Sequence, residues 1–169
     1  MTANLVWRIV IGWLALLALS GGMALSLAAR AAEPGTSAAP TDDAVAKAAV
    51  ASATQESDKW LAQIDAGKFA ESWSEAAGVF KAAVTQADWA EQLTQMHQAL
   101  GKTTIRNLRS ADYSKTLRGA PTSQYVTVNY ITQFEKAPPA IETIALAKDP
   151  DGQWRIAGYN ITRAPDVPK

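Results

Sequence analysis

Apolar positions along the chain follow two different periods. From about residue 42 to residue 101 they recur at spacings of three or four, the period of an amphipathic α-helix. From about residue 103 onward apolar and polar side chains alternate, the period of a β-strand. A helical half followed by a strand half predicts an α+β fold, in which N-terminal helices pack on a curved antiparallel sheet of about four strands.

Three helices are predicted in the first half. Residues 41–43 can cap a helix that ends near Asp65, and Gly67 can close that helix with a left-handed backbone. A capping-box pattern at residues 85–88 begins the third helix, and Gly101 ends it. The second helix presents the apolar residues Phe69, Trp73, Ala76, Ala77 and Phe80, and the third presents Trp89, Leu93, Met96 and Leu100.

The second half predicts four strands. Residues 105–117 form an untidy strand or a bent pair of strands, and residues 124–134, 141–148 and 153–162 form the others. The alternation is clearest in the second strand, where one face carries Val126, Val128, Tyr130, Thr132 and Phe134. A turn at residues 149–152 joins the last two strands.

Residues 1–31 have the pattern of a secretory signal, because Arg8 precedes an apolar run that ends in small residues. The alternative is an uncleaved membrane anchor, since the apolar stretch from Ile9 to Ala29 is long enough to span a bilayer. Residues 32–41 predict a flexible linker, residues 42–163 a single domain and residues 164–169 a tail. We therefore expect a periplasmic or secreted protein, or a domain anchored to the inner membrane and held outside the cytoplasm.

Charge and cysteine content exclude several classes of protein. Removal of residues 1–31 would leave 14 basic and 16 acidic residues, which argues against a nucleic-acid binder. The chain has no cysteine, so disulfides, thiolate metal sites and a cysteine nucleophile are excluded. A single histidine also argues against a zinc site, and no sequence motif for a metal or a cofactor is present.

His97 is the one candidate for a catalytic residue, because histidine is the commonest general base near neutral pH. It would need a carboxylate from elsewhere in the fold, and Glu142 or Asp112 is expected to supply it. The alternative is a histidine at the edge of the apolar stripe that forms local hydrogen bonds.

Aromatic residues are the candidates for a binding pocket. Trp73, Trp89 and Tyr130 could line a cavity between the helices and the sheet. The alternative is that these side chains belong to the hydrophobic core, which is the usual place for aromatics at helical spacing.

Five basic residues lie between residues 102 and 118, with Asp112 as the one acid among them. Such a segment could bind an anionic envelope component or an acidic protein. It could equally protect an exposed strand edge or pair with the acidic helices. The five are Lys102, Arg106, Arg109, Lys115 and Arg118.

Spaced aromatic and charged residues from Trp60 to Ile161 resemble an exported bacterial family, domain of unknown function 4019. The matching positions are Trp60, residues 65–69, Ser72, Trp73, Phe80, Trp89, Leu100, Gly101, Arg106, Tyr125, Val128, Phe134, Glu142 and residues 151–159. The resemblance implies export and a compact α+β domain, and it implies no reaction. The order of helices and strands is also similar to the cone-shaped nuclear-transport-factor-like and cystatin-like folds.

Three functions follow as hypotheses. The first is a non-catalytic envelope module that binds a protein or a small ligand. The second is a small acid–base enzyme of the isomerase or dehydratase type with a cone-shaped pocket. The third is an accessory factor anchored in the membrane, which requires that the N-terminal segment is not cleaved.

Overall fold

The computed structural model describes residues 41–165. The predicted signal segment, residues 32–40 of the predicted linker and residues 166–169 lie outside the described residues. The helices are α1 (Asp42–Asp65), α2 (Phe69–Ser74), α3 (Gly78–Ala83) and α4 (Gln86–Leu100). The strands are β1 (Thr103–Ser114), β2 (Tyr125–Phe134), β3 (Ala140–Lys148) and β4 (Trp154–Arg163). The fold is α+β, with an antiparallel sheet in the order β1-β2-β3-β4.

The predicted second helix is divided into α2 and α3. At Ala77 the backbone is extended, with φ −61° and ψ 154°, and its N–H donates to the carbonyl of Ile156 on β4 at 2.9 Å. Ala76 and Ala77 are fully buried, so their small side chains allow the backbone to approach β4 closely. A hydrogen bond to the sheet therefore replaces one turn of helix.

The helix ends follow the predicted caps. The Thr41 hydroxyl accepts from Ala44 N at 3.3 Å, and the Thr85 hydroxyl accepts from Asp88 N at 3.2 Å. Gly101 ends α4 with φ 74°. A Cβ at position 101 would lie 2.9 Å from Glu135 Cβ, so both the backbone conformation and the space require glycine there.

The hydrophobic core lies between the helices and one face of the sheet. The predicted inward residues of β2, from Val126 to Phe134 in alternation, are all buried. They meet Trp60, Leu61 and Ile64 from α1. The other buried members from the helices include Phe80, Trp89, Leu93 and Met96. Burial of the apolar area of this layer is the main term that stabilises the fold.

Register shifts interrupt the sheet ladder at three points, one between β3 and β4 at Ala145 and Leu146 and two between β1 and β2. The two in β1 fall between Thr103 and Ile105 and between Leu108 and Ser110, so this edge strand is irregular as expected from its sequence. Within residues 41–165, no helix combines the length and the apolar character needed to cross a bilayer.

Candidate functional site

A buried carboxylate joins all four strands. Glu142 on β3 has 1% of its surface exposed. Its Oε2 accepts from Arg106 Nε on β1 at 2.7 Å and from the Thr132 hydroxyl on β2. Its Oε1 accepts from the Tyr159 hydroxyl on β4 at 2.6 Å and from Arg106 Nη2 at 3.3 Å. Each of the other three strands therefore supplies a donor to one carboxylate.

A second carboxylate ties the same arginine to α1. Arg106 Nη1 donates to Asp65 Oδ2 at 2.6 Å, and Nη2 donates to Asp65 Oδ1 at 3.0 Å. The Thr103 hydroxyl also donates to Asp65 Oδ1, at 3.0 Å. We call this set the Glu142 cluster: Asp65, Thr103, Arg106, Thr132, Glu142 and Tyr159.

The electrostatics of the Glu142 cluster keep its donors protonated. Burial lowers the pKa of Arg106, but hydrogen bonds and charges from Asp65 and Glu142 outweigh burial and raise the pKa above its usual value. Burial, followed by the charge of Glu142, raises the pKa of Tyr159 well above its usual value. An ionised carboxylate has about four lone-pair sites, and Glu142 uses four. It can bind a substrate proton only by losing one of these partners.

His97 lies near this cluster without a hydrogen bond to it. Its ring packs edge-on against Phe69 with centroids 5.0 Å apart, and within residues 41–165 the ring forms no hydrogen bond. Burial lowers the pKa of His97, and the charges of Asp65 and Glu142 oppose that effect. Asp112, the other proposed partner, pairs with Thr127 and points to the opposite face of the sheet. A catalytic role for His97 stays a prediction.

Trp89 and Trp73 occupy different environments. Trp89 is fully buried and donates from Nε1 to Ser72 Oγ at 3.0 Å. Its ring contacts Phe80 at 5.0 Å and Trp60 at 5.8 Å between centroids. Trp73 is partly buried at the margin of the core and donates to the Val84 carbonyl at 2.8 Å. Both indole N–H groups are thus satisfied by the protein itself.

Tyr130, the third predicted pocket residue, is held by α1. Its hydroxyl donates to Asp58 Oδ1 at 2.6 Å and lies 2.7 Å from Ser57 Oγ. Burial, with the hydrogen bond to Asp58, raises the pKa of Tyr130 above its usual value. This contact fixes the middle of α1 over β2.

Two surface concavities lie away from the predicted pocket residues. One has a volume of about 390 Å³ and is lined by α3 and α4, including Lys81, Thr85 and Asp88. The other has a volume of about 650 Å³ and lies near the β3–β4 turn, with Lys115 and Lys148 in its lining. Neither is lined by His97, Trp73, Trp89 or Tyr130.

The face of the sheet that points away from the core has a different character. Four residues in register, one from each strand, form a polar row: Ser110, Asn129, Thr143 and Asn160. Asn129 Nδ2 donates to Ser110 Oγ at 3.1 Å, and the Thr143 hydroxyl donates to Asn129 Oδ1 at 2.7 Å. All four are partly exposed.

A second row with aliphatic residues runs beside the polar row. It consists of Asn107, Ile131, Ile141 and Thr162, again paired across the four strands. Ile105, 56% exposed, lies next to this row on β1. We call these nine residues, the two rows and Ile105, the open face. It carries no charged side chain.

The sequence left open whether the basic segment from residue 102 to residue 118 is a binding surface, protects a strand edge or pairs with the acidic helices. For Arg106 the structure shows pairing with Asp65 on α1, and the side chain is only 15% exposed. Sequence reasoning missed the second carboxylate that Arg106 binds, Glu142 on β3. The alternation along the strands is the signal that could have revealed this contact. Arg106 lies opposite Thr132, so its side chain is on the same inward face of the sheet as the inward residues of β2. Arg109 is exposed and Lys115 binds Asp42 at 3.3 Å, so the remaining basic residues do lie outside.

A family model described as "Protein of unknown function (DUF4019)" matches residues 56–159. The chain belongs to the DUF4019 family. No curated protein matches it. The part that matches the DUF4019 model contains all six residues of the Glu142 cluster. Membership in this family assigns no activity to the chain.

Proposed function

We propose that this DUF4019 protein is exported to the bacterial envelope and acts there as a non-catalytic binding or accessory module. The open face is its binding surface. The N-terminal sequence pattern supports export. The polar groups on the inner face of the sheet hold the fold together, whereas the open face exposes aliphatic side chains. This difference supports the binding role.

On the inner face, the polar groups are used to hold the fold. Glu142 has all its acceptor sites occupied, and Arg106 binds both Glu142 and Asp65. A catalytic carboxylate needs a free position for the proton that it transfers. The Glu142 cluster therefore acts as a structural connection between all four strands and α1.

The composition of the open face supports a binding role. Ile105 has 56% of its surface exposed, and Ile131 and Ile141 are paired next to it. Aliphatic side chains in solvent, together with a depletion of charge, are typical of the centre of a protein interface. The adjacent Asn and Thr side chains provide hydrogen bonds that orient a partner.

Site-specific photo-crosslinking in cells tests the binding role. A photoreactive amino acid replaces Ile105 in one strain and Leu108 in another. The two residues are on the same strand and are 56% and 53% exposed, but Leu108 pairs with Tyr130 and so points to the helix side. We expect a crosslinked product from position 105 and none from position 108. Equal products, or none from position 105, would contradict the proposal.

The location is tested on the same cells. Fractionation is expected to place the protein in the envelope or the medium. The mass of the purified chain shows whether residues 1–31 have been removed. Retention of that segment would favour the membrane-anchored form of the accessory role, and a purely cytoplasmic protein would contradict export.

A further inference from the structure

We propose that Asp151 is a site of spontaneous covalent modification, the isomerisation of aspartate to isoaspartate, and that Arg155 holds this reaction back in the folded protein. The site lies in the β3–β4 turn, away from the open face, so the proposal is independent of the binding function. Isoaspartate adds one carbon atom to the backbone, in the turn that leads into β4.

The sequence provides the reactive step at one position. Asp151 is followed by Gly152, and this is the one Asp–Gly step in the chain. Each of the other aspartates precedes a residue with a side chain, which shields the backbone nitrogen next to the carboxyl group. No asparagine precedes a glycine, so the faster reaction of an Asn–Gly step does not compete.

The reaction is a ring closure between neighbouring groups. The backbone nitrogen of Gly152 forms a bond to Cγ of Asp151, the bond from Cγ to the carboxyl hydroxyl breaks, and the hydroxyl leaves with the N–H proton as water. Water then opens the succinimide ring at either carbonyl, which gives aspartate or isoaspartate. The protonated carboxyl is the reactive form, because an ionised oxygen is a poor leaving group.

The turn leaves space for this ring closure. Gly152 has φ 82°, and a Cβ at this position would meet nothing within 4 Å. The Asp151 side chain is 53% exposed, so water has access to it. Steric protection from neighbouring side chains is therefore absent at this step, and protection has to come from hydrogen bonds and charge.

Arg155 binds the carboxyl group that has to react. Its Nη1 donates to Asp151 Oδ1 at 2.8 Å and its Nη2 donates to Oδ2 at 2.6 Å, so one planar guanidinium holds both oxygens. Asp151 Oδ1 also accepts from Gln153 N at 3.0 Å. The N–H of Gly152 donates to the Asp149 carbonyl at 2.8 Å. Both reacting groups are therefore engaged in other contacts.

The charge of Arg155 acts in the same direction. Hydrogen bonds from Arg155, followed by the one from the Gln153 backbone, lower the pKa of the Asp151 carboxyl from 3.8 to about 2. At neutral pH the protonated fraction is proportional to ten raised to the pKa, so this fall reduces the reactive form by a factor on the order of tens. Asp149 Oδ2 accepts from Arg155 Nη1 at 3.0 Å and so helps to hold the guanidinium in place.

The test compares the rate of isoaspartate formation in the wild-type protein and in Arg155→Leu. Both are incubated at neutral pH, well below their unfolding temperatures, and are then cut with a lysine-specific protease. Fragmentation mass spectrometry of the peptide that follows Lys148 locates isoaspartate at residue 151. We expect Arg155→Leu to isomerise at least about fivefold faster than the wild-type protein. In urea, where both chains are unfolded, their rates should agree within about twofold.

Asp149→Asn is the matched control. It removes the other carboxylate that Arg155 binds and keeps both hydrogen bonds to Asp151, so its rate should stay within about twofold of wild type. Gly152→Ala should slow the reaction in urea, which confirms the attacking nitrogen. Equal rates in folded wild type and folded Arg155→Leu would overturn the proposal. Equal acceleration by Asp149→Asn and Arg155→Leu would also overturn it, because loosening of the turn would then be the cause.

Discussion

Arg106 and Glu142 form an ion pair across β2, the strand between them. The guanidinium Nε lies 2.7 Å from Glu142 Oε2, although neither strand is hydrogen-bonded to the other. The remaining guanidinium nitrogens reach Asp65 on α1. One side chain thus connects the edge strand, the sheet interior and the first helix.

Removal of the Arg106 side chain alone should strongly destabilise the folded state. Arg106→Leu leaves Glu142 buried at 1% exposure without its cation, and we expect a loss of about 3–5 kcal/mol in the free energy of unfolding. The double variant with Glu142→Leu should lose less, since it leaves no unpaired buried charge. Urea unfolding of the single and double variants measures the coupling.

Arg155→Leu is the control for that experiment. Arg155 also binds two carboxylates, Asp149 and Asp151, but this network is on the surface of the β3–β4 turn. Its removal should cost clearly less than that of Arg106. Equal losses would show that the buried position of Glu142 contributes nothing.

Truncation of Trp89, in the core, should destabilise the fold more than truncation of Trp73, at its margin. Trp89 is fully buried among aromatic rings, so Trp89→Ala should cost about 3–5 kcal/mol. Trp73 is only partly buried, so Trp73→Ala should cost less. Denaturant unfolding followed by circular dichroism measures both. A larger loss for Trp73→Ala would be inconsistent with its position in the structure.

Two glycines with similar backbone angles should differ in their tolerance of alanine. At Gly152, with φ 82°, a Cβ meets nothing within 4 Å, so Gly152→Ala should cost only the backbone strain of about 1–2 kcal/mol. At Gly101, with φ 74°, a Cβ would also lie 2.9 Å from Glu135 Cβ. Gly101→Ala should therefore be the more destabilising of the two by thermal unfolding.

His97 should make the folded state less stable as the pH falls below 6.5. Burial lowers its pKa in the folded state below the ordinary value of 6.5, so the fold favours the neutral ring. Above pH 6.5 both states are neutral and this contribution is fully present. Below that pH the unfolded chain binds a proton first, and stability falls until the folded pKa is reached.

The measurement for His97 is an NMR titration of the ring together with unfolding at several pH values. His97→Gln should remove this part of the pH dependence and leave the acid response of the carboxylates. A ring that titrates above pH 6.5 in the folded protein would reverse the predicted sign.

The sheet could be predicted from sequence because its alternation is regular. Val126, Val128 and Tyr130 are apolar, their neighbours Thr127 and Asn129 are polar, and the structure buries the first set. The break between α2 and α3 could not be predicted. Its cause is a hydrogen bond from Ala77 to Ile156, a residue about 80 positions away along the chain.

The same limit applies to the candidate sites. Resemblance placed Arg106 and Glu142 among the matching positions, but only the fold shows that they bind one another. The open face was harder to predict, because its polar row depends on the register of all four strands. No periodicity within one strand contains that information.

Glu142 also has a consequence for errors in folding. Its neighbours Ile141 and Thr143 point to the open face, so a slip of β3 by one residue would expose the carboxylate and bury a neighbour in its place. Arg106 would then keep Asp65 on α1 but lose Glu142. The buried pair therefore disfavours this misalignment as well as stabilising the native register.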